Sequence, residues 1–209
     1  MKPSIEELFN SDRYIQLAEL PYTEMIPFVQ HEFAQRNNII RGYIWLNIFI
    51  LLMMILIGAR QVWNGEIGFL VLIGNTFLGF AITLTVLVPV HEAIHGLAYK
   101  LLGAPQVSFG GNLQQFYFYA VADRFVVGAR GFRLIALAPF MVITIATIVG
   151  LYLTPVNIQW ILWGILLMHT GACAGDFGML GFYKRHHDGG EIFTFDDVSK
   201  KVAYFFQRK

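Results

Sequence analysis

His91, Glu92 and His95 stand in the order His-Glu-Ala-Ile-His, the H-E-x-x-H spacing of a metal site carried on one helix. Residues four apart on an α-helix lie one turn apart on the same face, so the two imidazoles can share a cation. Neutral imidazole is a good zinc ligand. A carboxylate at position 92 reaches a water on that cation without itself ligating. Zinc draws the pKa of such a water toward ~7. Glu92 would then take the water's proton during attack on a peptide carbonyl and hand it to the leaving amine.

A tetrahedral catalytic site takes three protein ligands and leaves the fourth position open. The extended metzincin pattern would want Gly at position 98 and His at position 101, which hold Ala98 and Leu101. A downstream Glu ligand is also absent, since no Glu lies between Glu92 and Glu191. The acid with the right placement is Asp176, and the reason lies in the elements that carry it.

The chain has 209 residues, of which 56% are hydrophobic and 14% charged. Soluble domains carry about 25% charged residues, so this composition points to a membrane protein. Four stretches are apolar enough to cross a bilayer, which takes about 20 residues. They run from about 43 to 59, 67 to 90, 134 to 153 and 156 to 175. Hydrocarbon offers the backbone no water, so each is expected to be a helix. Three ionisable residues at the end of the second span are costly there and functional by default. The apolar run continues through them to Leu102, and Gly103 stops it.

Lysines and arginines set the expected orientation. Four precede the first span (Lys2, Arg13, Arg36, Arg41) and four lie between the second and third (Lys100, Arg124, Arg130, Arg133). Six follow the fourth, and Arg60 alone falls on the other face. This bias predicts that both termini and the middle loop are cytoplasmic, in the cell membrane. The second and fourth spans then run in the same direction. His91 and Asp176 fall near the inner boundary of a core ~30 Å thick, so an imidazole pair and a carboxylate can converge there.

The fold expected from this reading is an all-α membrane protein. It has four transmembrane helices and a small β-hairpin inserted in the middle cytoplasmic loop. Residues 1–209 form one domain, with 1–41 as short helices against the cytoplasmic surface, 43–181 as the four-span core and 182–209 as a tail. The hairpin is read from the alternation at Gln106-Val107-Ser108-Phe109, the break at Gly110-Gly111-Asn112, and the aromatic run Gln115 to Ala120. The first residues are polar, without the apolar run of a signal peptide. The net charge of +1 gives no sign of nucleic-acid binding.

Other polar residues have plainer readings. Cys173 is the one cysteine; it has no CxxC partner and reads as a small apolar residue in a Gly/Ala-rich helix. His169, seven residues before Asp176, shares its face on a continuous helix. It either stabilises an oxyanion or holds substrate, or it is a packed imidazole bonded to a carbonyl. Asp123 beside Arg124 reads as solvated, and His31, His186 and His187 as surface residues.

The segment HEAIHGLAYKLLGAPQVSFGG, then a span, then AGDFGML resembles small bacterial membrane proteins classed as zincin peptidases. It is more distantly similar to the site-2 intramembrane metalloproteases. The resemblance covers about residues 67–181. It implies His91, His95 and Asp176 as zinc ligands and Glu92 as the base. Site-2 proteases carry an Asn and a Pro ahead of Leu-Asp-Gly, whereas here Gly175 precedes Asp176 and neither residue occurs in the half of the span next to it.

The function expected is therefore that of a Zn2+-dependent endopeptidase acting on a membrane or juxtamembrane peptide, with the lipid bilayer as its other partner. An extended substrate would add a strand to the hairpin. The rival is a non-hydrolytic zinc-binding membrane scaffold or chaperone, which has no need of Glu92. A metal transporter is a weaker third reading, since the spans lack a row of acids and histidines. Affinity order alone does not separate zinc from iron or cobalt.

Overall fold

The computed structural model describes residues 2–35, 37–112 and 117–209. Arg36 of the basic N-terminal group, and Gln115 and Phe116 of the expected hairpin, lie outside them. The chain starts with a short helix, α1 (Ile5–Asn10), closed at its N-terminus by a capping box between Ser4 and Glu7. A strand, β1 (Tyr14–Pro21), and a second helix, α2 (Met25–Ala34), follow.

Among the described residues, four helical stretches are long and apolar enough to cross a membrane: Asn38–Trp63, Phe69–Leu101, Ala129–Leu153 and Val156–His186. The first is α3 (Asn38–Trp63) and the third is α6 (Ala129–Leu153). The second consists of α4 (Phe69–Ile82), a π turn (Thr83–Leu87) and α5 (Val88–Leu101). The fourth consists of α7 (Val156–Ala172) and α8 (Ala174–His186), separated at Cys173.

Strands β2 (Ser108–Asn112) and β3 (Tyr117–Val121) pair antiparallel, with Gly110 opposite Tyr119. A second sheet has the order β1-β6-β5-β4, in which β4 is Val127–Gly128, β5 is Ile192–Asp197 and β6 is Val202–Arg208. The all-α expectation is corrected here: the chain is mostly helical, but residues 14–21, 192–197 and 202–208 are strands rather than interfacial helix and plain tail. Their aromatic and β-branched residues favour strands. Ile192 to Phe195 and Val202 to Gln207 are buried without alternation, so no polar face marks them as strands in the sequence.

The residues group into two compact units. The first comprises Met1–Ile40, Glu92–Ala138 and Gly175–Lys209. Its core is aromatic: Phe182, Tyr183 and Phe205 pack with Leu20 and Tyr22, and Phe193, Phe195 and Phe206 pack with Leu8. Within it α2 lies against α8. Val29 packs over Gly178, and the fully buried Glu32 is ion-paired with Arg185. Just beyond α2, Asn37 donates to the Gly181 carbonyl at 3.0 Å. Burying a carboxylate without a cation would cost several kcal/mol, so Arg185 and Glu32 each hold the other in place.

The second unit comprises Arg41–His91 and Pro139–Ala174. Here α4 and α7 cross at Gly79 and Gly164, where a Cβ on either residue would strike the other helix's backbone. Small residues permit this approach. Trp160 Nε1 donates to Gln61 Oε1 at 2.8 Å, and the Tyr43 hydroxyl donates to the carbonyls of Thr170 and Gly171 at 2.9 and 2.8 Å. Each bond satisfies a polar group that hydrocarbon would leave unpaired.

In the first unit the Asp123 carboxylate accepts from the Val198 amide at 2.9 Å, so it anchors the β5–β6 turn rather than only meeting solvent. Its neighbour Asp196 accepts from the Tyr22 hydroxyl at 3.1 Å. Burial pushes the Asp196 carboxyl up to about 7; the Tyr22 bond opposes the shift and the Asp123 charge adds to it. A carboxyl raised in the folded state favours folding while it is protonated, and that contribution is lost as pH rises from the ordinary value near 3.8 through about 7. Asp196→Asn should remove this dependence. Thermal unfolding in detergent at pH 5 and pH 8 should show a smaller drop in Tm for the variant than for wild type.

Candidate metal site

The turn ahead of the motif is shaped by Pro89. Proline has no N–H, and its ring crowds the carbonyl four residues back. The helix answers with the π turn, in which the Val88 amide donates to the Thr83 carbonyl. Thr83 and Thr85 turn their hydroxyls back onto the carbonyls of Gly79 and Ala81. From Val88 onward α5 is regular, and one donor atom from each of His91, Glu92 and His95 lies within 4.8 Å of the others.

His95 is buried, and both of its ring nitrogens are engaged. Nδ1 lies 2.9 Å from the Ile135 carbonyl oxygen. That carbonyl is available because Pro139, four residues on in α6, has no N–H to donate to it. A carbonyl only accepts, so Nδ1 carries the proton and the lone pair sits on Nε2. Nε2 lies 3.3 Å from Asp176 Oδ1. Two ligand atoms held at about 2.1 Å on one tetrahedral zinc ion stand about 3.4 Å apart. Imidazole and carboxylate are both ordinary zinc ligands, so the donor pair fits zinc in kind and in spacing.

Asp176 lies in the first turn of α8, where the helix dipole favours an anion. It is there because the helix stops at Cys173, whose ψ of 9° leaves the helical region, and starts again at Ala174. His169 is buried with its Nε2 3.3 Å from His91 Nδ1 and 3.8 Å from Cys173 Sγ.

The geometry thus joins His95 to Asp176, His91 to His169, and carries His91, Glu92 and His95 on one helix. Reading the sequence alone overlooked the Ile135 carbonyl and the placing of Cys173. The first has a signal, a proline four residues downstream. The second has the four-residue spacing of His169 and Cys173.

Outer-shell partners of a ligating histidine are worth about 10–100-fold in metal affinity. Pro139→Ala would restore an amide that competes for the Ile135 carbonyl. Zinc affinity of the purified variant, measured against a chromophoric chelator, should fall by up to about tenfold, the lower end of that range because a carbonyl has two lone pairs.

No curated protein and no solved structure matches this chain. A protein-family comparison does give a match, and it runs from within the π turn through α5, the β2–β3 pair, α6, α7 and α8. Residues 84–187, which carry every site residue named above, match the family described as "Putative zincin peptidase".

Proposed function

We propose that this chain is a zinc-dependent, membrane-embedded endopeptidase that hydrolyses a peptide bond of a membrane or juxtamembrane substrate. His91, His95 and Asp176 are the zinc ligands in this reading, and Glu92 is the general base. The observation that carries it is the 3.3 Å approach of His95 Nε2 to Asp176 Oδ1, two metal-ligand atoms brought together from distant parts of the chain. The family match over residues 84–187 supports the same chemistry.

Zinc bound there would supply a Lewis acid and a coordinated water of lowered pKa. The chain's own residues do the rest. The Ile135 carbonyl fixes the His95 tautomer, so that Nε2 faces the ligand position. Glu92 accepts the proton of the attacking water at its carboxylate and returns it to the leaving amine. An extended substrate would add to an open edge of the β2–β3 pair, with backbone hydrogen bonds giving affinity without sequence demands. The location is the cell membrane, crossed by the four apolar helical stretches, with both termini cytoplasmic as the lysine and arginine bias predicts.

Two variants test this reading. Metal analysis of the purified chain carrying Cys173→Ser, which removes the sulfur donor beside His169, should find about one zinc with Asp176 present and little once Asp176→Ala is added, because loss of a ligand from a three-ligand site collapses affinity. Equal zinc in both would remove Asp176 from the site. Glu92→Gln should keep its zinc while peptide cleavage falls by at least about 100-fold, the usual contribution of a positioned base. Unchanged cleavage would exclude Glu92 as the base, and a biological role that survives the change intact would favour the scaffold.

A further inference from the structure

A second group of metal-ligand atoms lies in the unit formed by Arg41–His91 and Pro139–Ala174, outside the set proposed for hydrolysis except for His91. His169 and Cys173 are four residues apart where α7 ends, so their side chains fall one above the other. One donor atom each from His91, His169 and Cys173 lies within 4.8 Å of the others. His169 Nε2 is 3.3 Å from His91 Nδ1 and 3.8 Å from Cys173 Sγ. On a tetrahedral zinc ion two nitrogens stand about 3.3 Å apart, and a nitrogen and a sulfur about 3.6 Å. His169 and Cys173 are 2% and 0% exposed, so a cation held between them would be shielded from competing water.

We propose that His91 Nδ1, His169 Nε2 and Cys173 Sγ form a second cation site, selective for a soft or borderline metal such as zinc. Two imidazole nitrogens and a thiolate make this donor set softer than one containing a carboxylate. On binding, the Cys173 thiol gives its proton to solvent, as thiolate is the ligating form. The site has a consequence for hydrolysis, and this part alone rests on the function proposed above. A neutral imidazole has one lone-pair nitrogen. A cation on His91 Nδ1 leaves the ring's proton on Nε2 and withdraws His91 from the hydrolytic set. The second cation is therefore an inhibitor, and excess zinc should slow cleavage in wild type but much less in Cys173→Ser.

Cobalt(II) separates the two sites, because only the second contains sulfur. It is added to the metal-free full chain in detergent as wild type, Asp176→Asn, Cys173→Ser and Cys173→Ala. Thiolate-to-cobalt charge-transfer absorption is expected in wild type at excess cobalt and in Asp176→Asn, and is lost from both Cys173 variants. His169→Leu, which keeps the thiol, should weaken the cobalt binding that gives this absorption by at least about tenfold, the smallest effect usual even for an outer-shell partner. It remains decisive if the Cys173 variants do not fold. Absence of the absorption from wild type and Asp176→Asn at saturating cobalt overturns the proposal, as does its persistence in a folded Cys173 variant. If it appears while wild type cleaves no peptide, the hydrolytic reading fails and the second site stands.

Discussion

A backbone carbonyl in an apolar helix that loses its helical donor must find another one. At Ile135 the donor is the imidazole of His95. Pro139 creates the need, since it is the residue whose amide would have closed that turn. The bond satisfies the carbonyl and at the same time selects the His95 tautomer, so a helix defect becomes the element that aims Nε2 at Asp176. Without it His95 could turn about its side-chain torsions, and the approach to Asp176 would be one arrangement among several.

The same economy recurs along the chain. Pro89 forces a π turn immediately ahead of the motif, and π turns are often found at functional sites. The interruption at Cys173 places Asp176 in the first turn of a new helix, where partial positive charge gathers. In the first unit the buried Glu32–Arg185 pair and the contacts of Val29 with Gly178 and Ile40 with Gly181 tie the N-terminal segment to that helix. The helix bearing the carboxylate is thus held by residues far from it in sequence.

His91 lies where two possible uses of one ring meet. Its place in the motif offers it to the hydrolytic site proposed above, while its Nδ1 faces His169. A ring with a single lone pair cannot serve two cations while neutral. In the two proposals above, that limit couples the sites without any movement of the backbone.

The sequence by itself determined whatever depends on near neighbours and on composition. The one-turn spacing of His91 and His95 follows from helix geometry, as does the position of Glu92 between them. The four long apolar stretches follow from the rule that hydrocarbon leaves no other way to satisfy the backbone. Counting residues along two spans expected to run in the same direction also made an approach of Asp176 to the motif reasonable. The strands at 192–197 and 202–208 were hidden, because strands buried without alternation resemble short helical or irregular stretches. The strand at 14–21 was hidden because its mostly half-buried or exposed residues carry no regular apolar alternation. Tertiary structure alone decided that the Ile135 carbonyl meets His95, that the helix breaks at Cys173, and that His169 faces His91. Each is a contact between residues about 40 to 80 positions apart or a local break set by packing, and no periodicity in the chain encodes either.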